Sequence, residues 1–332
     1  FFHQWYSGQL CPAGMRGVIR MALCVGFDTS NYTTSVAWCD SAEGRNESRI
    51  LDVPDGALGL RQSDALFLHV RRLPQLMEKL LDGKTLKEAA VVAASSAPRE
   101  TEGSYMPCFL AGVCEAKSLA AALGARYMEF SHQQGHLAAA AWSAGCETLL
   151  DRPFLAWHLS GGTTELLHVV PKDAAVHAER IGGTTDISAG QLLDRTGVLL
   201  GIPFPAGKHI DALSQQANRV ELYRVKLNGL EFSLSGMENK VKAMHDQGIP
   251  QADIAAFVVE TVSNVVLRTT DAAKKRYPGL PVLCSGGVAS NSRLRAVLQD
   301  AFFAPPEYSR DNAMGIAVLA RRALERGTHC GG

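Results

Sequence analysis

The sequence predicts an α/β fold made of two similar halves, and three features of the chain predict it. An apolar strand, a short polar turn and a second apolar strand follow one another at residues 21–40, and the same order recurs at 152–171. A third strand, in residues 280–302, runs through a glycine turn into a helix. The recurrence of one pattern in a chain of 332 residues, long enough for two domains, indicates a duplicated α/β unit.

Hydrophobic periodicity predicts the elements of the first half. Residues 21–40 alternate apolar side chains on either side of the turn, whereas residues 62–82 repeat apolar side chains at helical spacing. Residues 88–100 indicate a buried strand that runs into a loop, and residues 108–124 indicate a helix that ends at a glycine. The alanine-rich run at 131–141 is also typical of a helix.

The second half repeats the opening pattern and continues with helices. Residues 191–201 predict a helix stopped by glycine, residues 250–276 predict a longer helix, and the chain closes with an amphipathic helix headed by Asp311. The boundary between the halves falls near residues 140–152. We therefore expect an extension outside the fold at 1–20, an N-terminal domain at 21–145 with the C-terminal helix 311–327 packed back on it, and a C-terminal domain at 146–310.

The composition limits the classes of function. The formal net charge is +0, from 33 basic and 33 acidic residues, so the chain as a whole does not attract nucleic acid, although a local basic patch remains compatible with this balance. No apolar run reaches the roughly 18 residues that a membrane span needs. The eight cysteines are scattered without a C-x-x-C pair. These features predict reduced thiols and a cytoplasmic protein with no membrane partner.

Glycine-rich or polar turns follow three of the predicted strands. The turn in residues 158–167 could form an anion site from the backbone amides of Ser160 to Thr163, although a single turn of this kind is more often a plain hairpin. Asp28, in the first turn, could position a metal-bound phosphate, orient a nucleophile or cap the turn. Asn291, in the third turn, is either the N-cap of the following helix or a nucleoside contact.

Three strand-end turns in two similar halves indicate a nucleotide site more strongly than any one turn does. Ligands of open α/β sheets bind at the ends of the strands, which is where these turns lie. This is the layout of the actin-like ATPase superfamily (ASKHA, RNase H-like), in which two related α/β domains clasp a nucleotide. We therefore predict a two-domain actin-like ATPase fold.

Two histidines four residues apart predict a possible metal site. His132 and His136 share one face of the predicted helix, so both imidazoles can reach one ion. Asp311 is a candidate third ligand, and two histidines with one carboxylate suit iron or zinc. Ordinary histidines explain the pair equally well. A zincin metalloprotease is excluded because Gln133 stands where that motif needs glutamate.

Seven stretches in order along the chain resemble one family, the tRNA N6-adenosine threonylcarbamoyltransferases (TsaD, also classed as peptidase M22). The resemblance runs from about Leu23 to about Ala320. The distal aspartate together with the histidine pair is its most diagnostic part. The matching stretches are "GFDTS", "HQQGHLAAA", "HLSGGTTEL", "LLDRTGVLLGIPFPAG", "LEFSLSGMENKV", "CSGGVASNSRLR" and "SRDNAMGIA".

The resemblance implies a bound divalent metal, Fe²⁺ or Zn²⁺, and an adenine-nucleotide substrate. Its metal ligands would be His132, His136 and Asp311. Asp28 and Asp194 are the expected catalytic carboxylates, and Asp194 would also contact the ribose hydroxyls. The remaining substrate contacts implied are His158, Leu159, Ser160, Gly161, Gly162, Gly207 and Asn291.

The activity that the resemblance implies is transfer of a threonylcarbamoyl group from threonylcarbamoyl-adenylate to N6 of adenosine 37 in tRNAs that read ANN codons. The implied partners are that tRNA and subunits similar to TsaB and TsaE. Two other functions stay open: a non-catalytic nucleotide-binding partner of the same machinery, and a small-molecule kinase of the same superfamily.

The sequence also departs from the family pattern beside the matching stretches. In the family, acidic residues usually follow the first strand, and a histidine usually lies in the glycine turn that corresponds to residues 158–167 here. A glycine-rich turn usually follows the strand predicted in residues 88–100. The departures are Asn31, Tyr32 and Thr33 after the first strand, Thr163 in place of the histidine, residues 96–107 in place of the glycine-rich turn, and Lys208 in place of a proline.

Overall fold

The computed structural model of the protein describes residues 22–30, 32–52, 60–83 and 85–327. The expected extension at residues 1–20 lies outside the described residues. Two mixed β-sheets and the helices around them make up the described part of the chain.

The first half of the chain forms a five-stranded sheet with three helices. Its elements, in order, are β1 (Leu23–Asp28), β2 (Thr33–Cys39), β3 (Gly44–Ile50), α1 (Gln62–Leu81), β4 (Ala89–Ala97), α2 (Phe109–Leu123), β5 (Arg126–Ser131) and α3 (His132–Ser143). The strand order is β3-β2-β1-β4-β5, in which β1, β2 and β3 are antiparallel and β4 and β5 run parallel to β1.

The second half forms a seven-stranded sheet. Its elements are β6 (Phe154–Leu159), β7 (Thr164–Lys172), β8 (Ala175–Thr184), α4 (Ala189–Leu199), α5 (Gly207–Ser214), β9 (Leu227–Asn228), β10 (Glu231–Phe232), α6 (Ser235–Asp246), α7 (Gln251–Arg276), β11 (Val282–Ser285), α8 (Ser292–Val297), β12 (Ala301–Phe303) and α9 (Met314–Glu325). The strand order is β12-β11-β6-β7-β8-β10-β9.

The two sheets share one topology over five strands. In each, an antiparallel three-stranded meander comes first, and two later strands are added in parallel beside its first strand. The order β3-β2-β1-β4-β5 in one sheet corresponds to β8-β7-β6-β11-β12 in the other. The similarity of the two strand–turn–strand patterns in the sequence therefore reflects two copies of one sheet.

Helices α3 and α9 lie in a core that both sheets share. This core cluster contains Cys24 and Val91 of the first sheet, Phe154 and Leu167 of the second, and the buried faces of the two helices. Two other large core clusters cover the outer faces, one with α1 and α2 and one with α4 to α8, and a fourth, small cluster joins α1 to α2 through Ala65 and Phe109. The small side chains of "HLAAAA" suit this position, since they let α3 approach its neighbours closely.

Two details differ from what the sequence predicts. Residues 301 and 302, expected to end the helix after the third turn, instead belong to strand β12, which pairs in parallel with β11. Asp311 does not start the C-terminal helix but lies three residues before α9. No helix in the described ranges combines the length and the apolar character that crossing a membrane requires.

Candidate metal and substrate site

Helix α3 begins at the first histidine of the pair because its N-terminus is capped there. Ser131 is the N-cap: its hydroxyl accepts from the amide of Gln134 at 3.2 Å, and the Gln134 side chain accepts from the Ser131 amide at 2.8 Å. This reciprocal capping box fixes the helical register from its first residue. His132 and His136 consequently lie on adjacent turns of one face, with their ring centroids 4.3 Å apart.

The structure brings the distant carboxylate of Asp311 to the histidine pair. Its Oδ1 lies 3.1 Å from Nε2 of His136 and 3.5 Å from Nε2 of His132, and the two Nε2 atoms are 2.9 Å apart. One ligand atom from each residue lies within 4.8 Å of the others. The three predicted ligands therefore converge on one point.

Buried polar groups support these three side chains from behind. Asp28, which is only 1% exposed, faces Nδ1 of His132 at 2.9 Å and accepts from Ser95 at 2.6 Å and from Ser30 at 3.2 Å. Thr33 donates to the other oxygen of Asp311 at 3.1 Å. Asp28 thus contacts the back of His132. It fixes which imidazole nitrogen points toward the ligand cluster.

The electrostatics of the cluster match its geometry. Burial lowers the pKa of His132, but Asp28 and then Asp311 outweigh burial and raise it from 6.5 to about 10. Burial raises the pKa of Asp311, but hydrogen bonds from His132 and His136 hold it well below its ordinary value of 3.8. Two imidazole nitrogens and a carboxylate oxygen at these separations, with a carboxylate behind one imidazole, are a donor set that fits Fe²⁺ or Zn²⁺.

The ligand cluster opens into a cavity of about 440 Å³ that residues of both halves line. The second half contributes the glycine turn after β6 and parts of β7 and β11. Within that turn the amide of Ser160 donates to the carbonyl of Thr163 at 2.8 Å, and the Thr163 amide donates to the Ser160 hydroxyl at 3.0 Å. The Ser188 hydroxyl donates to the Gly161 carbonyl at 2.6 Å and holds the turn against α4.

A third imidazole lies next to the cluster. The ring of His158 is 5.2 Å from that of His136, and its Nδ1 is 3.3 Å from the Ser285 hydroxyl. Burial, together with the nearby His136, lowers the pKa of His158 to about 3. His158 is therefore a neutral hydrogen-bonding group in the cavity wall.

The stretch at 158–162, predicted to contact the substrate, lies beside the three candidate ligands, but its residues differ in exposure. His158, Ser160 and Gly162 line the cavity. Leu159 is fully buried in the core of the second half, so only its backbone is near the site. A Cβ on Gly161 or Gly162 would meet no atom within 4 Å, so a ligand can approach the backbone there.

The other predicted substrate residues lie outside the lining of the metal cavity. Asp194 lines a separate groove of about 390 Å³ beside α6, and its Oδ1 accepts from the amide of Ala206, next to Gly207, at 2.9 Å. Asn291 is the N-cap of α8: its side chain accepts from the Leu294 amide at 3.1 Å and donates to Asp211 at 2.9 Å. Of the two interpretations that the sequence left open for Asn291, the structure shows the cap.

Several site residues were not singled out from the sequence. Ser95, at the end of β4, holds Asp28, and Thr33 holds Asp311. Arg99 and Glu165 face one another across the cavity mouth. The one available signal was topological: Ser95 lies near the end of the buried strand β4 and Arg99 follows that strand, at the same end of the sheet as the polar turn after β1.

Comparisons with known proteins identify the family. Residues 63–318 match the sequence model of the family described as TsaD, tRNA N6-adenosine threonylcarbamoyltransferase. A relative of that name from Thermus thermophilus is 33% identical over 272 residues, which cover 78% of this chain and 79% of the relative. A relative of the same name from Brucella anthropi is 30% identical over 339 residues, covering 91% of this chain and 89% of the relative.

Solved structures show the same fold. Full-length HypF in its phosphate- and nucleotide-bound form matches with a TM-score of 0.56 at 15% identity, over 92% of this chain and 46% of that one. Component A of the (R)-2-hydroxyglutaryl-CoA dehydratase of Acidaminococcus fermentans matches with a TM-score of 0.52 at 14% identity, over 92% of this chain and 100% of that one. These matches confirm the predicted actin-like ATPase fold. The sequence matches, which cover most of the chain, show that it belongs to the tRNA N6-adenosine threonylcarbamoyltransferase family.

Proposed function

We propose that the protein transfers a threonylcarbamoyl group from threonylcarbamoyl-adenylate to N6 of adenosine 37 in tRNAs that read ANN codons. In this proposal the protein is cytoplasmic, binds one Fe²⁺ or Zn²⁺, and works with partner subunits similar to TsaB and TsaE. Family membership supports the reaction type. The observation that carries the proposal is the convergence of His132, His136 and Asp311 in a cavity that also contains the glycine turn.

The reaction makes one bond and breaks one. The N6 amine of adenosine attacks the carbamoyl carbon, the new C–N bond forms, the bond from that carbon to the adenylate oxygen breaks, and AMP leaves while the amine releases a proton. His132, His136 and Asp311 would hold the divalent ion, which would supply Lewis-acid polarisation of a carbonyl oxygen. The residues of the chain have to hold the donor in place and stabilise the leaving phosphate.

The glycine turn is suited to the leaving phosphate. The exposed amides of Gly161 and Gly162 have no acceptor among the residues that the structure describes, and they are free to donate to phosphate oxygens. His158, held neutral by burial, provides a hydrogen bond without adding charge. Asp28 acts in this scheme as a positioning residue for His132, and the groove at Asp194 is the proposed subsite for the ribose.

Transfer to a defined tRNA tests the proposal. Metal-loaded protein, the partner subunits, threonylcarbamoyl-adenylate labelled in the threonyl group and an unmodified ANN-decoding tRNA should give label at adenosine 37. The same tRNA with guanosine at position 37 is the control for the acceptor, and His136→Ala should lower the rate by at least about 100-fold. Folded, metal-loaded wild-type protein that transfers no label would contradict the proposed function.

A further inference from the structure

Arg99 places a permanent positive charge at the mouth of the metal cavity. It is the only lysine or arginine among the described residues that line this cavity, which also contains the carboxylates of Glu165 and Asp311. Its side chain is 49% exposed, and its guanidinium faces Glu165 of β7, with one nitrogen 3.1 and 3.2 Å from the two carboxylate oxygens. Arg99 lies in the stretch 96–107, where the sequence departs from the family pattern.

The backbone around Arg99 is fixed close to the metal ligands. The amide of Gln133, which follows His132, donates to the carbonyl of Pro98 at 3.1 Å. The Arg99 amide donates to the Ser104 hydroxyl at 3.1 Å. Arg99, whose side chain lines the cavity, therefore belongs to a loop that is tied to the first turn of α3.

Glu165 is an exchangeable partner for Arg99. The Arg99 side chain is half exposed and that of Glu165 is partly exposed, and ion pairs that water can reach contribute little net stability because solvent competes for the charges. Glu165 also approaches a second arginine, Arg180, at 3.9 Å, which contacts it from outside the metal cavity. A carboxylate that enters the cavity can take the place of Glu165 on Arg99 while Glu165 keeps Arg180 as a neighbour.

We propose that Arg99 binds the carboxylate of the threonyl group on the donor and thereby selects donors that carry an amino-acid carboxylate. This inference rests on the proposed function, because threonylcarbamoyl-adenylate is a donor with such a carboxylate. The planar guanidinium fork matches a carboxylate with two parallel hydrogen bonds, a recognition that a point charge does not reproduce. Arg99 acts in this scheme on donor binding, and the bond-making step takes place at the ligand cluster.

Paired donors test the assignment. Transfer rates are measured with threonylcarbamoyl-adenylate and with its threoninamide counterpart, which lacks the negative charge. Arg99→Ala should raise the KM for the carboxylate donor about 10- to 100-fold, change kcat little, and leave the KM for the amide donor nearly unchanged. For Arg99→Lys, the KM for the carboxylate donor should lie between those of the wild type and Arg99→Ala, since lysine keeps the positive charge but lacks the planar guanidinium fork.

Two matched variants separate donor binding from a structural role. Arg180→Ala removes the other arginine beside Glu165 and should leave the ratio of the two KM values as in the wild type. Glu165→Gln frees Arg99 from its partner and should lower the KM for the carboxylate donor. If Arg99 merely tied its loop to β7, Glu165→Gln would reproduce the defect of Arg99→Ala, and that result would overturn the assignment.

The outcomes also distinguish a failure of the Arg99 assignment from a failure of the proposed transferase function. In one outcome, the wild-type protein transfers from the carboxylate donor, but Arg99→Ala raises the KM for both donors equally. That outcome overturns the role of Arg99 and leaves the proposed function standing. Wild-type protein that transfers from neither donor overturns both.

Discussion

At the scale of single residues, the central feature is how a buried carboxylate orients an imidazole that we propose as a metal ligand. Asp28 is held by Ser95 and Ser30 and faces Nδ1 of His132, so Nε2 of that ring is left for the ligand cluster. A carboxylate behind a ligating imidazole fixes its tautomer and makes it a stronger ligand. The effect of Asp28 should therefore be seen first in metal affinity.

Asp28→Asn should lower the affinity for Zn²⁺ about 10- to 100-fold, because an amide cannot hold the imidazole as a carboxylate does. The measurement is competition for Zn²⁺ against a chelator of known affinity. Asp300→Asn, on the exposed surface, is the matched control and should bind as the wild type does. An Asp28→Asn protein that is folded and keeps full affinity would contradict this role.

Part of the site could be predicted from the sequence and part could not. The spacing of His132 and His136 predicts a shared helical face, and the family resemblance supplies Asp311 as the third ligand. Neither shows that Asp28 would lie behind His132, because that contact joins residues 104 positions apart through the pairing of β1, β4 and β5. Arg99 carried no local signal, since an arginine in a polar loop is usually solvated.

At the scale of elements, the proposed metal site depends on how closely α9 packs against α3. A Cβ on Gly315 would lie 1.7 Å from the carbonyl oxygen of Gly135, so the two helices are in contact through their backbones at this point. Gly135 lies between the two histidines, and Gly315 lies four residues after Asp311. The close approach therefore sets the distance between the carboxylate and the imidazoles.

Gly315→Ala should separate the two helices, lower the free energy of unfolding by about 2 kcal/mol or more, and weaken Zn²⁺ binding as well. Chemical denaturation and metal competition on the same protein measure the two effects. Gly236→Ala, in α6, is the matched control, because a Cβ there meets nothing within 4 Å. Normal stability and normal affinity in the Gly315→Ala protein would show that the contact does not set the ligand geometry.

The elements that the sequence predicts well are those whose apolar residues recur with a clear helical or strand period. The strands β1, β2, β6 and β7 and the helices α1 and α7 follow their apolar patterns. Strand β3, "GRNESRI", has little apolar character and exists because it pairs with β2 along its whole length. The first two residues of strand β12 were expected to be helical, and they are extended because they pair with β11, a contact that the local sequence does not show.

At the scale of the whole molecule, two copies of one sheet share a core. The two strand–turn–strand patterns of the sequence indicated the duplication, and the C-terminal helix was expected to pack back on the first half, but a shared position of α3 and α9 between the two sheets was not predicted. The shared cluster contains residues of β1 and β4 from one half and of β6, β7 and β11 from the other. Breaking either half would expose apolar surface of the other.

The protein should consequently unfold in a single cooperative transition. Differential scanning calorimetry of the metal-loaded protein should show one peak, with a calorimetric enthalpy that equals the van't Hoff enthalpy. Removing the metal with a chelator should lower the Tm, because the ion binds only the folded state. Two resolved peaks, or a Tm that is insensitive to the chelator, would contradict this account.

The most direct test of the central claim is the metal content of the purified protein after loading with Fe²⁺ or Zn²⁺. Elemental analysis should find one ion per chain in the wild type. The control variant His245→Ala, which removes a surface histidine far along the sequence from the site, should also hold one ion per chain. His136→Ala and Asp311→Ala, if folded by circular dichroism, should hold almost none. A wild-type protein that binds no ion, or an Asp311→Ala protein that keeps a full complement, would contradict a site formed by these three residues.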